Sequence, residues 1–460
     1  MQTTRTIWAA SALLSEGWKN SVEIAVDADG NIASVTPDCQ YRHGERVACL
    51  IPAIANVHSH AHQRAMAGLG ERAGLINDAS QDSFWTWRQV MYHYLERIQP
   101  EHLQAIAAQL YVEMLKHGYS CVGEFQYLHH DPRGMAYANP AEMSLRCLEA
   151  ARTTGIGFTA LPVLYRYGGF GAEPALPAQR RFLNDADSFV EITQSLQQAT
   201  RRDQNASVGI APHSLRAVST ELLTTAMNGL DNNAAIHIHI AEQIREVEDC
   251  IEWSGQRPVE RLFGEFDVDQ RWCLIHATHM THEETRAAAQ SGCVVGLCPT
   301  TEANLGDGLF NATAYFAHNG CWAVGSDSHA SVDPVEELRW LEYTMRLHTR
   351  TRNVLVSSHQ RHTGRHLFDG AVNGGAQACG RQLGLIQAGH RADFIVLDTG
   401  HPRLYGRSED HLLDSWIFSG NDNLIRDVYV GGRKVIANGH HADEDRIADD
   451  YRQTLDALAV

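Results

Sequence analysis

Long apolar runs are missing from this 460-residue chain. No uninterrupted stretch approaches the ~18 residues of a membrane span, so a membrane protein is not expected. The opening residues MQTTRTIWAASALL carry one arginine, with no extended apolar core and no cleavage signal. No secretory peptide is expected from them. None of the ten cysteines falls in a CxxC pair. Scattered thiols in a chain of this size read as small buried hydrophobes of a reducing compartment. Basic residues are in deficit, 38 Lys and Arg against 55 Asp and Glu, for a net charge of −17. Nucleic-acid binding needs a basic face and is excluded on that ground. A small anionic substrate would need locally placed arginines to overcome the same field. Repeats and low-complexity linkers are also lacking. A soluble cytoplasmic enzyme is the expectation, long enough for one large domain and a smaller one.

What is present is an alternation of short apolar runs with helix-like segments. The runs are ACLIPAIANV (48–57), SCVGEFQ (120–126), IGFTALPVL (156–164), SVGIAP (207–212), AAIHIHIA (234–241), WCLIHA (272–277), CVVGLCP (293–299) and CWAVGSD (321–327). They are rich in Val, Ile, Cys and Ala without strict alternation, as strands covered on both faces are. Between them, EHLQAIAAQLYVEMLKHG (101–118) repeats apolar positions at three- and four-residue steps and stops at Gly118. DPVEELRWLEYTMRLHTR (333–350) offers Asp333 as N-cap and Pro334 in the first turn. Eight strands with eight crossovers predict an α/β fold, a (β/α)8 TIM barrel, with a doubly wound open sheet as the competing architecture.

The flanks differ. Residues 1–50 hold short strand-like pieces broken by DG and PD turns, and RADFIVLD and IRDVYVGGRKVIANG near the other end are again β-like. Neither flank alone can bury a core. The expected division is a small β-sandwich domain from 1–50 with 380–445, a barrel from 51–379, and a C-terminal helical tail at 446–460.

Chemistry in a barrel collects at the C-terminal ends of its strands. The first run ends in His58 and His60, whose spacing of two puts both imidazoles on one strand face. His62 lies past the apolar run and is left out. The fifth run carries His237 and His239, with Glu242 just beyond; the sixth ends in His276 and the eighth in Asp327. His58, His60, His239 and Asp327 make a set of three imidazoles and one carboxylate, which favours zinc or iron over calcium or magnesium. His237 is expected one layer deeper, buried or behind the ligands. Each residue also has a bland reading. A strand-end histidine can be a hydrogen-bonded bystander, Asp327 a turn residue, and Glu242 a first-turn helix carboxylate.

With NVHSH, HIHIAEQ, LIHATH and AVGSDSH in this order, the chain resembles the amidohydrolase superfamily, in particular its mononuclear-metal deaminase branch. RQLGLIQAGHRADFIVLD resembles that family's return from barrel to β domain. NVHSHAHQRAMAGL, DSFWTWR, GEFQYLHH, APHSLRAVS and HIHIAEQ resemble, within the branch, the deiminases of histidine degradation. The resemblance implies hydrolysis of N-formimino-L-glutamate to N-formyl-L-glutamate and ammonia. It implies one divalent metal per subunit, zinc first and iron second, and a homodimer. No lysine occurs in the eight runs to be carboxylated as a bridge between two metals. It further implies that Asp327 ligates the metal and receives the water's proton. Glu242 would pass a proton to the imine nitrogen and then to ammonia, and His276 would orient the nucleophile and stabilise charge. Two substrate carboxylates call for guanidinium forks and hydroxyl donors. Arg216 and His213 after the fourth run, Tyr127 after the second, Arg88 on the long 64–100 excursion, and Gln63 are the candidates. A guanine or related purine deaminase is the rival within the superfamily; a catalytically inactive ligand-binding barrel is the rival of another class.

Overall fold

The run ACLIPAIANV, expected as one strand, serves two sheets. In the computed structural model, which describes residues 3–73, 82–230 and 233–459, the chain opens with β1 (Thr3–Leu14), β2 (Gly17–Asp27), β3 (Ile32–Thr36) and β4 (Glu45–Pro52). β5 (Ile54–Ser59) starts two residues after Pro52 but pairs with different partners. Ala53 is the corner, and its N–H donates sideways to the Asp393 carbonyl at 3.2 Å. An apolar run reports burial, and both halves of this one are buried, so hydropathy alone could not show the change of sheet.

β5 opens the barrel, followed by β6 (Tyr119–Gln126), β7 (Gly157–Leu164), β8 (Ala206–Val208), β9 (Ala211–Pro212), β10 (Ile236–Ile240), β11 (Trp272–His276), β12 (Val294–Leu297) and β13 (Cys321–Val324). All their pairings are parallel. β8 and β9 are one stave in two pieces, both paired to β7, where the sequence predicted a single strand. The break falls at Gly209, where a β-carbon would lie 2.7 Å from the Ala235 carbonyl oxygen. Only glycine allows that approach. Parallel bridges Ile210–Ile236 and Ser59–Asp327 close the ring. The result is a closed barrel, not an open doubly wound sheet.

Helices cover the outside as the spacing predicts. The helix Pro100–Lys116 buries Leu103, Ile106, Leu110, Met114 and Leu115. Each such side chain contributes roughly 1.5–3 kcal/mol. Gly118, at φ +94°, turns the chain into β6. The helix Pro334–Thr349 is capped by Asp333, whose Oδ1 accepts the Val335 N–H at 2.8 Å. Among the described residues, no helix is long and apolar enough to cross a membrane. All ten cysteines are free and eight are buried, in keeping with their reading as small hydrophobes.

The flanking domain adds β14 (Phe394–Leu397), β15 (Ile425–Val430), β16 (Arg433–Ala437) and β17 (His440–His441). Its strands run in the order β17-β16-β15-β14-β4-β1-β2-β3, with antiparallel β4–β14 joining the two ends of the chain. The expected β-sandwich domain is built from this continuous series of strands, and its N- and C-terminal parts share a core of Ile7, Ile24, Leu50, Phe394, Val396 and Tyr429. The last helix, Glu444–Leu458, packs on Pro100–Lys116, with Lys116 Nζ 3.0 Å from Glu444 Oε2.

Candidate active site

Three strand ends bring together the four side chains singled out from the sequence. His58 lies within β5 and His60 one residue past it, His239 within β10, and Asp327 three residues after β13. His58 Nε2 is 3.0 Å from His239 Nε2, and Asp327 Oδ1 is 3.4 Å from both His58 Nε2 and His60 Nε2. All four side chains are buried. Their outer nitrogens show what they can hold. His60 Nδ1 donates to the Phe125 carbonyl at 2.9 Å, and His239 Nδ1 to the His213 carbonyl at 3.0 Å. That tautomer leaves each Nε2 lone pair facing inward, as metal-binding histidines require. Burial first, then the neighbouring imidazoles, holds His58 and His239 well below the usual histidine pKa, so both are neutral. His58, His60 and His239 can place one ligand atom each around a common point, as can His58, His276 and Asp327. Converging lone pairs of neutral imidazoles beside a carboxylate fit a divalent cation of the zinc type.

The remaining groups surround this cluster. His276 ends β11, with Nε2 3.7 Å from Asp327 Oδ2 and 3.8 Å from Glu242 Oε1. Burial opposes a charge on His276, but Glu242, Glu302 and Asp327 outweigh it and push its pKa up to about 10. Burial raises Glu242 to about 7, against the pull of His276. Glu242 is thus placed to exchange protons near neutrality, while His276 is held in its charged form. The backbone is also unusual here. Ala241, His276, Ala277 and Asp327 all adopt left-handed φ, between +46° and +68°. Such conformations in non-glycine residues cost energy and gather at functional sites.

One cavity brings together His60, Gln63, Arg88, Tyr127, His213, Arg216, His239, Glu242, His276 and Asp327, with His58 directly behind His239. Every residue singled out from the sequence therefore meets at one place. Gln63 Nε2 donates to Tyr127 Oη at 3.0 Å, and its buried Oε1 has no hydrogen-bond partner among the described residues. Arg88 is on the helix Phe84–Leu95 and faces the cavity. Residues 74–81 of the 64–100 excursion lie outside the described residues. The excluded histidines stay out of the cluster. His62 Nε2 is 2.8 Å from Tyr127 Oη, and His237 Nε2 donates to the Ala378 carbonyl at 2.8 Å. His329, two residues after Asp327, lies 3.1 Å from Ser59 Oγ and 2.9 Å from Ser326 Oγ and braces the ligand loops from behind.

Sequence reasoning missed the residues that hold the others. Glu302 Oε1 lies 3.2 Å from His276 Nδ1 and sets that ring's orientation. Glu246 Oε2 accepts the Glu242 N–H at 3.1 Å, and its Oε1 is 3.9 Å from Arg216 Nε. Glu124, buried inside β6, accepts from Ser59 Oγ at 2.6 Å and from Ala61 N at 2.7 Å, gripping the loop between the first ligands. A carboxylate within the buried run YSCVGEFQ was a usable signal for Glu124. Glu246, one helical turn after Glu242, was a weaker one, and Glu302 left none.

Comparison with known proteins agrees with this geometry. The profile of the amidohydrolase family matches residues 49–435, and that of "Formimidoylglutamate deiminase HutF, N-terminal domain" matches residues 4–48. A formimidoylglutamate deiminase of Pseudomonas aeruginosa is 49% identical over 453 residues, covering 98% of this chain and 99% of that protein. The crystal structure of an amidohydrolase from Brucella melitensis superposes with a TM-score of 0.94 at 45% identity, covering 99% of this chain and all of the other. An adenosine deaminase from Xanthomonas campestris, solved with bound zinc, shares the fold at a TM-score of 0.80 and 21% identity, with 99% and 98% covered. Barrel, split β domain, strand-end cluster and relatives converge: the chain belongs to the amidohydrolase family, among the relatives of the formimidoylglutamate deiminases.

Proposed function

We propose that the protein hydrolyses N-formimino-L-glutamate to N-formyl-L-glutamate and ammonia, a step of histidine degradation. One observation carries this reading. A single cavity joins the cluster residues His60, His239 and Asp327 to two guanidiniums, Arg88 and Arg216, in a chain 49% identical to a formimidoylglutamate deiminase. A purine pocket has no use for two arginines, and the purine alternative is not favoured. The full set of reactive side chains argues equally against an inactive binding barrel.

His58, His60, His239 and Asp327 would hold one divalent cation, zinc by donor chemistry with iron as the alternative. Such a cation, when bound, supplies acidity, drawing the pKa of water toward ~7 so that attack proceeds at neutral pH. Asp327 takes the proton of the attacking water. Glu242 delivers its proton to the imine nitrogen, takes up the hydroxyl proton as the C=O bond forms and passes it to the nitrogen that departs as ammonia. The proton held by Asp327 then reloads Glu242 for the next cycle. His276, oriented by Glu302, steadies the nucleophile and stabilises charge at the tetrahedral carbon. Arg216 and Arg88 receive the two carboxylates, with Tyr127, His213 and Gln63 completing the polar wall. The same family likeness supports a homodimer acting in the cytoplasm.

Ammonia release from formiminoglutamate and from guanine, measured with and without added metal, tests the reading. Turnover of guanine alone overturns it. Arg216→Ala should raise KM by about 10- to 100-fold with metal content unchanged, since a charge-assisted contact is lost. Loss of metal with KM intact would remove Arg216 from substrate binding. Glu302→Gln should lower kcat by about tenfold while KM stays within about twofold, because it frees the His276 ring without touching substrate.

A further inference from the structure

A second cavity adjoins the first. The two share Arg88, Tyr92 and Arg216, and the outer one adds Trp85, Arg245 and Trp253. Trp85 is its centre. The guanidinium carbons of Arg88, Arg245 and Arg216 lie 4.5, 4.9 and 6.0 Å from its ring centroid. Stacking on an indole attracts each cation singly, but three cations around one ring repel one another. Their acidic partners do not settle that charge. Arg216 Nε and Glu246 Oε1 are 3.9 Å apart, and both atoms are buried without a hydrogen bond among the described residues. Arg245 Nε is 3.7 Å from Asp249 Oδ2, and both side chains are largely in solvent. Glu173, Asp249 and Glu252 also line this cavity, yet among the described residues neither glutamate forms an ion pair with the three arginines, and Arg88 has no salt bridge, only the longer-range pull of Glu242.

We propose that Arg245, stacked on Trp85, is an outer reception point for a carboxylate, from which an anionic substrate passes to Arg88 and Arg216. The assignment rests on the reading that the substrate is a small dianion. A carboxylate offers two oxygens to guanidinium forks whose existing pairs are long, and its charge relieves the repulsion among them. The chain's net charge of −17 repels such a substrate at long range, so capture needs a local patch of opposite sign on the approach. Arg88 and Arg216 face both cavities, so the carboxylate can move inward without returning to bulk water.

The test uses metal-loaded full-length enzyme with Arg245→Gln and Arg245→Lys, assayed on formiminoglutamate across ionic strengths. Arg245→Gln should lower kcat/KM by about fivefold at low ionic strength, through KM and not kcat, and the gap should close within about twofold near ~0.5 M salt. Arg245→Lys should keep at least about half of the wild-type value, since its charge is retained. A glutamine variant equal to wild type at low salt overturns the proposal, as does a deficit that persists at high salt or falls on kcat. Inactive wild type would instead sink the substrate reading; given an active one, the variant-to-wild-type ratio decides the reception point alone.

Discussion

Replacing Glu242 by glutamine should lower kcat by about a thousandfold, equivalent to about 4 kcal/mol of barrier, while metal content and KM stay near wild type. The carboxyl is buried with Oε1 3.8 Å from His276 Nε2, and burial raises its pKa to about 7. Near neutrality both of its forms are populated, which suits a group that must accept and return a proton within one cycle. Glutamine preserves the shape and the contact with His276 but carries no exchangeable acid proton. Ammonia release alongside elemental analysis makes the comparison. A variant that keeps more than about a tenth of kcat would exclude Glu242 from proton transfer.

The second large effect is expected from His239→Ala. This side chain contributes one of the two imidazole nitrogens that stand 3.0 Å apart, and its other nitrogen is tied to the His213 carbonyl. The variant should purify with less than about a tenth of a metal equivalent and release no measurable ammonia. Thermal unfolding supplies an independent readout. Wild type should melt higher with metal than after chelation, because a ligand that binds only the folded state stabilises it, and this difference should vanish in the variant. Full metal occupancy in His239→Ala would contradict the ligand assignment whatever happens to activity.

Strand ends explain why so much of the site could be read in one dimension. His58 and His60 announce a shared face through a spacing of two, and His239, His276 and Asp327 each follow an apolar run. In a parallel barrel such positions all open to one end, so chain order alone brings them together. Glu302 and Glu246 belong to short helices beyond the strands. Where their side chains point depends on how each helix settles against its neighbours, and periodicity does not encode that. Trp85 escaped for a related reason. In DSFWTWR it is one aromatic among three, and only the fold selects the ring that gathers three arginines. The misread boundaries share a different cause. At Pro52–Ala53 and at Gly209 the chain remains buried through the interruption, so hydropathy carries no mark of it.

The seam of the barrel is sewn with its reactive residues. The Asp327 N–H donates to the His58 carbonyl at 3.0 Å, and the His60 N–H donates to the Asp327 carbonyl at 3.2 Å. First and last staves are therefore fastened by the backbone of the very residues whose side chains gather at the centre. A cation drawn in by those side chains would act as a clasp on the hoop, tightening the joint between segments nearly 270 positions apart. Chemistry and closure are one joint, and a lineage that discarded the first would have to find another way to keep the ring shut.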